Sequence, residues 1–264
     1  PLRRQRQMCI RDRGRREVFS GKGAFGIFGD GKELPQLAMN HFFQNGDYRS
    51  GYYRDQTLLM AQGLLSVSNI FAALYADLDR TREPMSGGRQ MGGHFTSASR
   101  DLNGKWLDVI NLKNHSGDVS PTGSQMPRLL GLALASKIYR SYTTKNQKNF
   151  SNNGNEIAWG TIGNASTSEG MFFETINAAG VMQVPMVLSV WDDEYGISVS
   201  NKDQTTKESI SEALKGFQRT KTKKGFEIIE VKGWDYLALI EAYEDGSKLA
   251  RNKHIPVLIH VTEL

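Results

Sequence analysis

Residues 157–191 read IAWGTIGNASTSEGMFFETINAAGVMQVPMVLSVW. Residues 157–163 form a short apolar run without charge, which reads as a buried strand. Residues 168–180 carry a helical pattern, with Ser168 or Thr167 as N-cap and Gly180 as terminator. PMVLSVW, residues 185–191, is a second apolar strand. The same alternation continues towards the C-terminus. ESISEALKGF (208–217) reads as a helix, FEIIEV (226–231) as a strand, DYLALIEAYEDGSKLAR (235–251) as a helix and PVLIHV (256–261) as a strand. Apolar strands alternating with helices specify an α/β fold, a parallel sheet flanked by helices on both faces.

Towards the N-terminus the signals are weaker. KNQKNFSNNGN (145–155) is a polar loop. SQMPRLLGLALASKIYRSY (124–142) is helical, with Gly131, Ala133 and Ala135 small enough for close packing. SGGRQMGGHF (86–95) is a glycine-rich loop, and residues 50–78 hold two further helical stretches. Within residues 24–47, Leu34, Leu37, Ala38 and Phe42 fall on one side of a helix.

With 264 residues and 39% hydrophobic content, the chain suits one sizeable domain, or one with a small appendage. Its 27 glycines and 7 prolines favour a turn-rich α/β protein over a disordered chain. Much of the net charge of +5 comes from Arg3, Arg4, Arg6, Arg11, Arg13, Arg15 and Arg16, so the rest is close to neutral and gives no nucleic-acid signature. No apolar run approaches the roughly 20 residues of a membrane span, and the basic start lacks the apolar core of a secretory signal. The expectation is a cytoplasmic protein without membrane or nucleic-acid partners. QMCIRDR (7–13) back-translates to a sequence resembling a transposase adapter used in DNA library preparation. Residues 1–16, with the lone Cys9, are therefore set apart as an adapter-derived or disordered tail, and residues 17–264 are read as the folded domain.

Two loops carry the chemistry. Gly163, Asn164, Ala165 and Ser166 leave a strand and enter a helix, where backbone N–H groups and the helix dipole suit an anion. WDDEYGIS (191–198) leaves the next strand with two adjacent carboxylates, which repel unless a cation or donors compensate. A literal Gly-Asp-Gly at 29–31 has no matching second loop and reads as a turn before a helix.

GNASTSEGMFFETINAAGVMQVPMVLSVWDDEYGIS resembles the thiamine-diphosphate motif of the α subunits of 2-oxoacid dehydrogenase complexes. That motif runs Gly-Asp-Gly and then, one helix and strand later, Asn-Asn and a tyrosine. Gly163, Asn164 and Ala165 lie on the first part, Asp192 and Asp193 on the Asn pair, and Tyr195 on the tyrosine. The departures are Asn at 164, Ala at 165 and Asp at 193, and on spacing the acid has moved from 164 to 193. Further matches are YYRDQTLLMAQG (52–63), GGRQMGGHF (87–95) and SPTGSQMPRLLGLALA (120–135), and the resemblance covers residues 17–264. FGIFGDGKE and NGDYRSGYYRDQ look closest to a bacterial subgroup with α and β parts fused.

The resemblance implies a thiamine-diphosphate-binding fold and oxidative decarboxylation of a 2-oxo acid, branched-chain first and pyruvate second, with acyl transfer to a lipoyl arm. It implies that Tyr53 and Arg54 contact the diphosphate, that Ser120 and the Thr122 backbone hold the cofactor, and that His94 meets the reacting centre. Magnesium would be held by Asn164, Asp193 and the Tyr195 carbonyl. A structural potassium ion would sit at Ser120, Ser124 and Gln125. The implied partners are the β part, fused or separate, a lipoyl acyltransferase and the 2-oxo acid. The family's activating glutamate lies in the β part and its second active-site histidine beyond residue 264, so the fragment alone is expected to be inactive. A different reading is a non-catalytic relative, which predicts Asp193 facing solvent or a lysine. A transketolase is disfavoured by the Tyr-Arg and Gly-Arg-Gln-Met segments. His41, His254 and His260 read as structural, the last two away from the loops, while His115 lies on the way to Ser120.

Overall fold

The computed structural model describes residues 2–23, 25–90, 93–143, 145 and 147–264, without the side chains of residues 2–7. Ala24, Met91 and Gly92 of the glycine-rich loop, and Thr144 and Asn146 lie outside the described residues. The chain begins with helices α1 (Leu2–Phe19) and α2 (Glu33–Phe42), then strand β1 (Tyr48–Ser50) and helices α3 (Gln56–Ala61) and α4 (Val67–Leu74). Strand β2 (Asn114–His115) and helix α5 (Gln125–Ser141) lead into β3 (Ala158–Gly163), α6 (Gly170–Met182) and β4 (Met186–Trp191). A small hairpin, β5 (Tyr195–Gly196) and β6 (Val199–Ser200), and the short helices α7 (Asn201–Gln204) and α8 (Ile210–Ala213) follow. Strand β7 (Glu227–Lys232), α9 (Tyr236–Lys253) and β8 (Val257–Thr262) complete the fold.

The main sheet is parallel, in the order β2-β1-β3-β4-β8-β7. Alternation along each strand divides its side chains between two layers. Trp159, Val187, Trp191, Val257 and Ile259 face α2 and α9, where Met39, Leu239 and Tyr243 meet them. Ala158, Ile162, Met186, Leu188, Val190 and Leu258 face α5 and α6, where Leu129, Ala133, Phe172 and Ile176 meet them. Each fully buried Val, Leu, Ile or Phe stabilises the fold by about 1.5–3 kcal/mol, and the central strands are largely apolar, with Thr161, Ser189 and His260 as buried polar residues. β7 differs: it is an edge strand, with Glu227 partly covered and Glu230 and Lys232 exposed.

The sequence placed some boundaries wrongly. α6 starts at Gly170 after a 3-10 turn at Ala165–Ser168, and Glu169 rather than Ser168 or Thr167 is its N-cap. The helix runs through Gly180 and stops at Gln183, which takes the left-handed conformation (φ 50°). The 208–217 helix is only α8 with a 3-10 turn at Lys215–Phe217. Gly131 faces open space rather than a packed neighbour. Most of the segment set apart as a tail is part of α1, where Ile10 and Glu17 are buried.

Candidate functional site

The sheet has a switch point between β1 and β3. From β1 the chain moves out to β2 at one edge, whereas from β3 it moves the other way to β4. In open parallel sheets, ligands bind beyond the carboxyl ends of strands where the connections diverge. Residues 51–55 leave β1 at that point and residues 164–168 leave β3 there. Gly163 pairs with Trp191, and Trp191 with Val261, so β3, β4 and β8 end at one level.

Asn164 is buried, and its N–H donates to the Trp191 carbonyl at 3.0 Å. Its side-chain Nδ2 donates to Asn201 Oδ1 at 2.9 Å and to the Tyr195 carbonyl at 3.2 Å. Asn201 Nδ2 in turn donates to Asp192 Oδ1 at 2.8 Å. Asp192 also accepts from the Glu194 N–H at 2.9 Å and from His260 Nε2 at 2.8 Å. Burial opposes ionisation of Asp192, but the hydrogen bonds from His260, Glu194 and Asn201 prevail and hold its carboxyl below the usual value. The hairpin locks onto this loop, since a Cβ on Gly196 would lie 2.6 Å from the Ala165 Cβ.

Asp193 points elsewhere. Its Oδ2 meets Lys32 Nζ at 2.6 Å, with the Lys32 side chain 6% and the Asp193 side chain 41% exposed. Lys32 ends the Gly-Asp-Gly turn at 29–31, whose Gly29 N–H donates to Gln56 Oε1 at 2.7 Å. That turn leads into α2 and supplies a cation to Asp193.

After β1 the chain turns sharply, and a Cβ on Gly51 would lie 2.2 Å from Asp55 Oδ2. The fully buried Arg49 donates to Asp55 at 2.7 Å and to Asp118 at 2.8 Å. Asp118 Oδ2 accepts the Phe95 N–H at 3.0 Å and so anchors the residue after His94. Burial works against the Arg49 charge, but Asp118 and Asp55 overcome it and raise its proton affinity. His94 is buried, its Nε2 2.9 Å from Ser120 Oγ, and its ring centroid lies 6.2 Å from that of Tyr53. Arg54 lies over the Tyr53 ring at 5.3 Å. Tyr52 Oη is buried without a hydrogen-bond partner among the described residues and lies 3.6 Å from where a Gly163 Cβ would be.

His94 thus joins Ser120 and Tyr53, Arg54 lies over Tyr53, and Tyr52, beside Tyr53, reaches Gly163 at the start of the Asn164–Ser166 loop, while Thr122 is exposed on the loop after Ser120. At the expected potassium site, Ser120 is engaged by His94 and Gln125 Nε2 donates to the Thr161 carbonyl at 3.1 Å. His41 bonds the Tyr236 hydroxyl at the surface and His115 bonds Gln62, stacked on Phe43. His260 corrects an expectation: it lies near the carboxyl end of β8 and reaches the Asp192 loop. Sequence reasoning also missed Arg49, Asp55, Asp118, Asn201 and Lys32. For His260 a signal existed, a titratable residue near the end of an otherwise apolar strand.

The donor chemistry fits a hard divalent cation with a diphosphate. Both side-chain N–H groups of Asn164 are engaged, by Asn201 and the Tyr195 carbonyl, which leaves Oδ1 as its atom available to a ligand. Lys32 meets one oxygen of the partly exposed Asp193 side chain, and the carboxylate has a second oxygen to offer. Oxygen ligands of this kind suit magnesium. The orphaned Tyr52 hydroxyl supplies a donor beside Gly163, where an anion would lie.

The family described as "Dehydrogenase E1 component" matches residues 9–263. The chain is 29% identical over 242 residues to the 2-oxoisovalerate dehydrogenase subunit alpha of Bacillus subtilis, covering 91% of this chain and 62% of that protein. It is 25% identical over 233 residues to the pyruvate dehydrogenase E1 component subunit alpha of Acholeplasma laidlawii, covering 87% and 53%. It therefore spans somewhat over half the length of these relatives. A transketolase structure from Pichia stipitis superposes with a TM-score of 0.62 at 17% identity, over 99% of this chain and 36% of that one, a likeness of fold alone. By the match over nearly its whole length, the chain belongs to the dehydrogenase E1 component family.

Proposed function

We propose that residues 17–264 form the α-type thiamine-diphosphate domain of a 2-oxoacid dehydrogenase. The observation that carries the reading is the meeting of the Asn164 loop, the Asp193 loop and the Tyr52–Arg54 turn at the switch point of the sheet. The N–H groups of Gly163, Ala165 and Ser166 and the Arg54 guanidinium would hold the diphosphate. Asn164 Oδ1, the free oxygen of Asp193 and the Tyr195 carbonyl would hold magnesium. When bound, thiamine diphosphate supplies the carbanion and the electron sink for decarboxylation. His94, held by Ser120 at 2.9 Å, would bind the substrate carboxylate or pass a proton at Nε2 or Nδ1. A β-type partner and a lipoyl acyltransferase would complete the reaction. The named relatives support branched-chain 2-oxo acids first and pyruvate second.

The Lys32–Asp193 ion pair favours a second reading, a relative that binds cofactor or partner without turnover. Activity of the chain assembled with a β-type subunit separates the two, measured as reduction of an artificial electron acceptor with 2-oxoisovalerate or pyruvate. Turnover that falls about 100-fold or more on His94→Ala, as for loss of a positioned acid–base group, supports the dehydrogenase. An assembly that binds thiamine diphosphate but turns over neither acid leaves the non-catalytic reading.

A further inference from the structure

We infer that Asp192, acting through Asn201, determines which residue can stand at position 164. The ion-site reading enters only in what Asn164 Oδ1 would face; the relay itself lies in the hydrogen bonds. A carboxylate only accepts hydrogen bonds. Asp192 Oδ1 lies 2.8 Å from Asn201 Nδ2, so that amide must turn its nitrogen to Asp192 and its oxygen away. Asn201 Oδ1 then requires a donor, and Asn164 Nδ2 is 2.9 Å from it. The second hydrogen of the same nitrogen goes to the Tyr195 carbonyl at 3.2 Å. With both N–H bonds spent, the Asn164 oxygen is the atom left for a ligand. One acceptor-only group therefore sets two amides in sequence, and His260 Nε2 fixes it from behind at 2.8 Å.

A carboxylate at 164, as in the Gly-Asp-Gly pattern, would set an oxygen against Asn201 Oδ1 and the Tyr195 carbonyl. Turning Asn201 round relieves that contact and places its oxygen against Asp192. In either arrangement two buried carboxylates share one amide donor, since residues 164 and 192 are each 3% exposed. Asp192→Asn relieves the conflict at Asn201. The new amide donates to Asn201 Oδ1 and Asn201 Nδ2 turns to residue 164, so the bonds given up are the one from the exposed Glu194 N–H and the one to the Tyr195 carbonyl. Positions 164 and 192 are thus one acid–amide pair, and Asp192 is a positioning residue. Asp193, committed to Lys32, lies outside the pair. This replaces the exchange that spacing suggested, between 164 and 193.

The test is a set of variants of the full chain, followed by thermal melting and by affinity for manganese(II) with inorganic pyrophosphate. Asn164→Asp should lower the melting midpoint by about 5 °C, the size expected when like charges are buried together. Adding Asp192→Asn should restore the midpoint and recover metal–pyrophosphate binding, whereas adding Asp193→Asn should restore neither. The inference is overturned if Asn164→Asp melts like the parent, or if Asp193→Asn rescues it as well as Asp192→Asn does. If the parent binds no manganese–pyrophosphate while the stability rescue still follows position 192, the relay stands and the diphosphate reading falls.

Discussion

Two buried arginine–carboxylate clusters sit at opposite ends of the same sheet, and they differ in completeness. At the amino ends, Asp47 accepts Arg251 through both terminal nitrogens at 3.0 and 2.8 Å, together with Trp159 Nε1 at 2.9 Å and the N–H groups of Ile157 and Gln44 at 2.8 and 3.0 Å. Five donors close around one carboxylate. At the carboxyl ends, Arg49 bridges Asp55 and Asp118, but its Nη1 and the neighbouring Tyr52 Oη have no partner among the described residues. A buried polar group without a partner costs about 1–3 kcal/mol. The Asp47 cluster avoids that cost, while the Arg49 cluster carries it where a ligand would lie. The difference separates a lock from a site.

Breaking the lock should give the largest effect. Asp47→Ala leaves Arg251 buried without its counter-charge and should cost about 3–5 kcal/mol in urea unfolding. Pyrophosphate affinity of the folded fraction should stay unchanged; a parallel loss of affinity would mean that the two ends are coupled. At the site end, Tyr52→Phe should do the reverse. Removing an orphaned hydroxyl should leave stability equal or raise it by about 1 kcal/mol, while pyrophosphate affinity falls about tenfold, as for one lost hydrogen bond of about 1.4 kcal/mol. A clear drop in stability would show that the hydroxyl already has a partner. The smallest effect concerns acid. Burial, helped by nearby Arg140, lowers the proton affinity of His254 from 6.5 to about 4. The folded state then binds fewer protons than the unfolded chain, so this stability is complete above pH 6.5 and is lost as pH falls towards 4. His254→Asn, which tolerates the left-handed φ of 52°, should remove about 1 kcal/mol of that acid sensitivity. His115, also pushed well down by burial, preserves part of the slope. An unchanged pH profile would mean that His254 is charged in the fold.

The centre of the molecule was legible because β3, α6 and β4 are long enough for periodicity to act. β1 and β2 were not, since they have three and two residues and hold Arg49 and His115, polar groups that read as loop. The Arg49 cluster joins residues far apart in sequence, so no local pattern announces it. Spacing pointed to Asp193 in the 192–195 loop but carried no information on where the two adjacent carboxylates point. That depends on how the chain leaves β4, which turns Asp192 towards His260 and Asp193 towards Lys32. Lys32 itself was hidden behind a Gly-Asp-Gly that read only as a turn before a helix.

The hydrogen-bond relay from His260 to Asn164 also constrains the routes by which this sequence can change. An acid at 192 with an amide at 164, and the reverse, are both self-consistent. Single substitutions connect them by two routes. One passes through two carboxylates around a single amide, and the other through two amides, where every group can both give and accept. Only the second keeps the loop folded at the halfway step, so a library selected for folding alone should cross by that corner and leave the other empty.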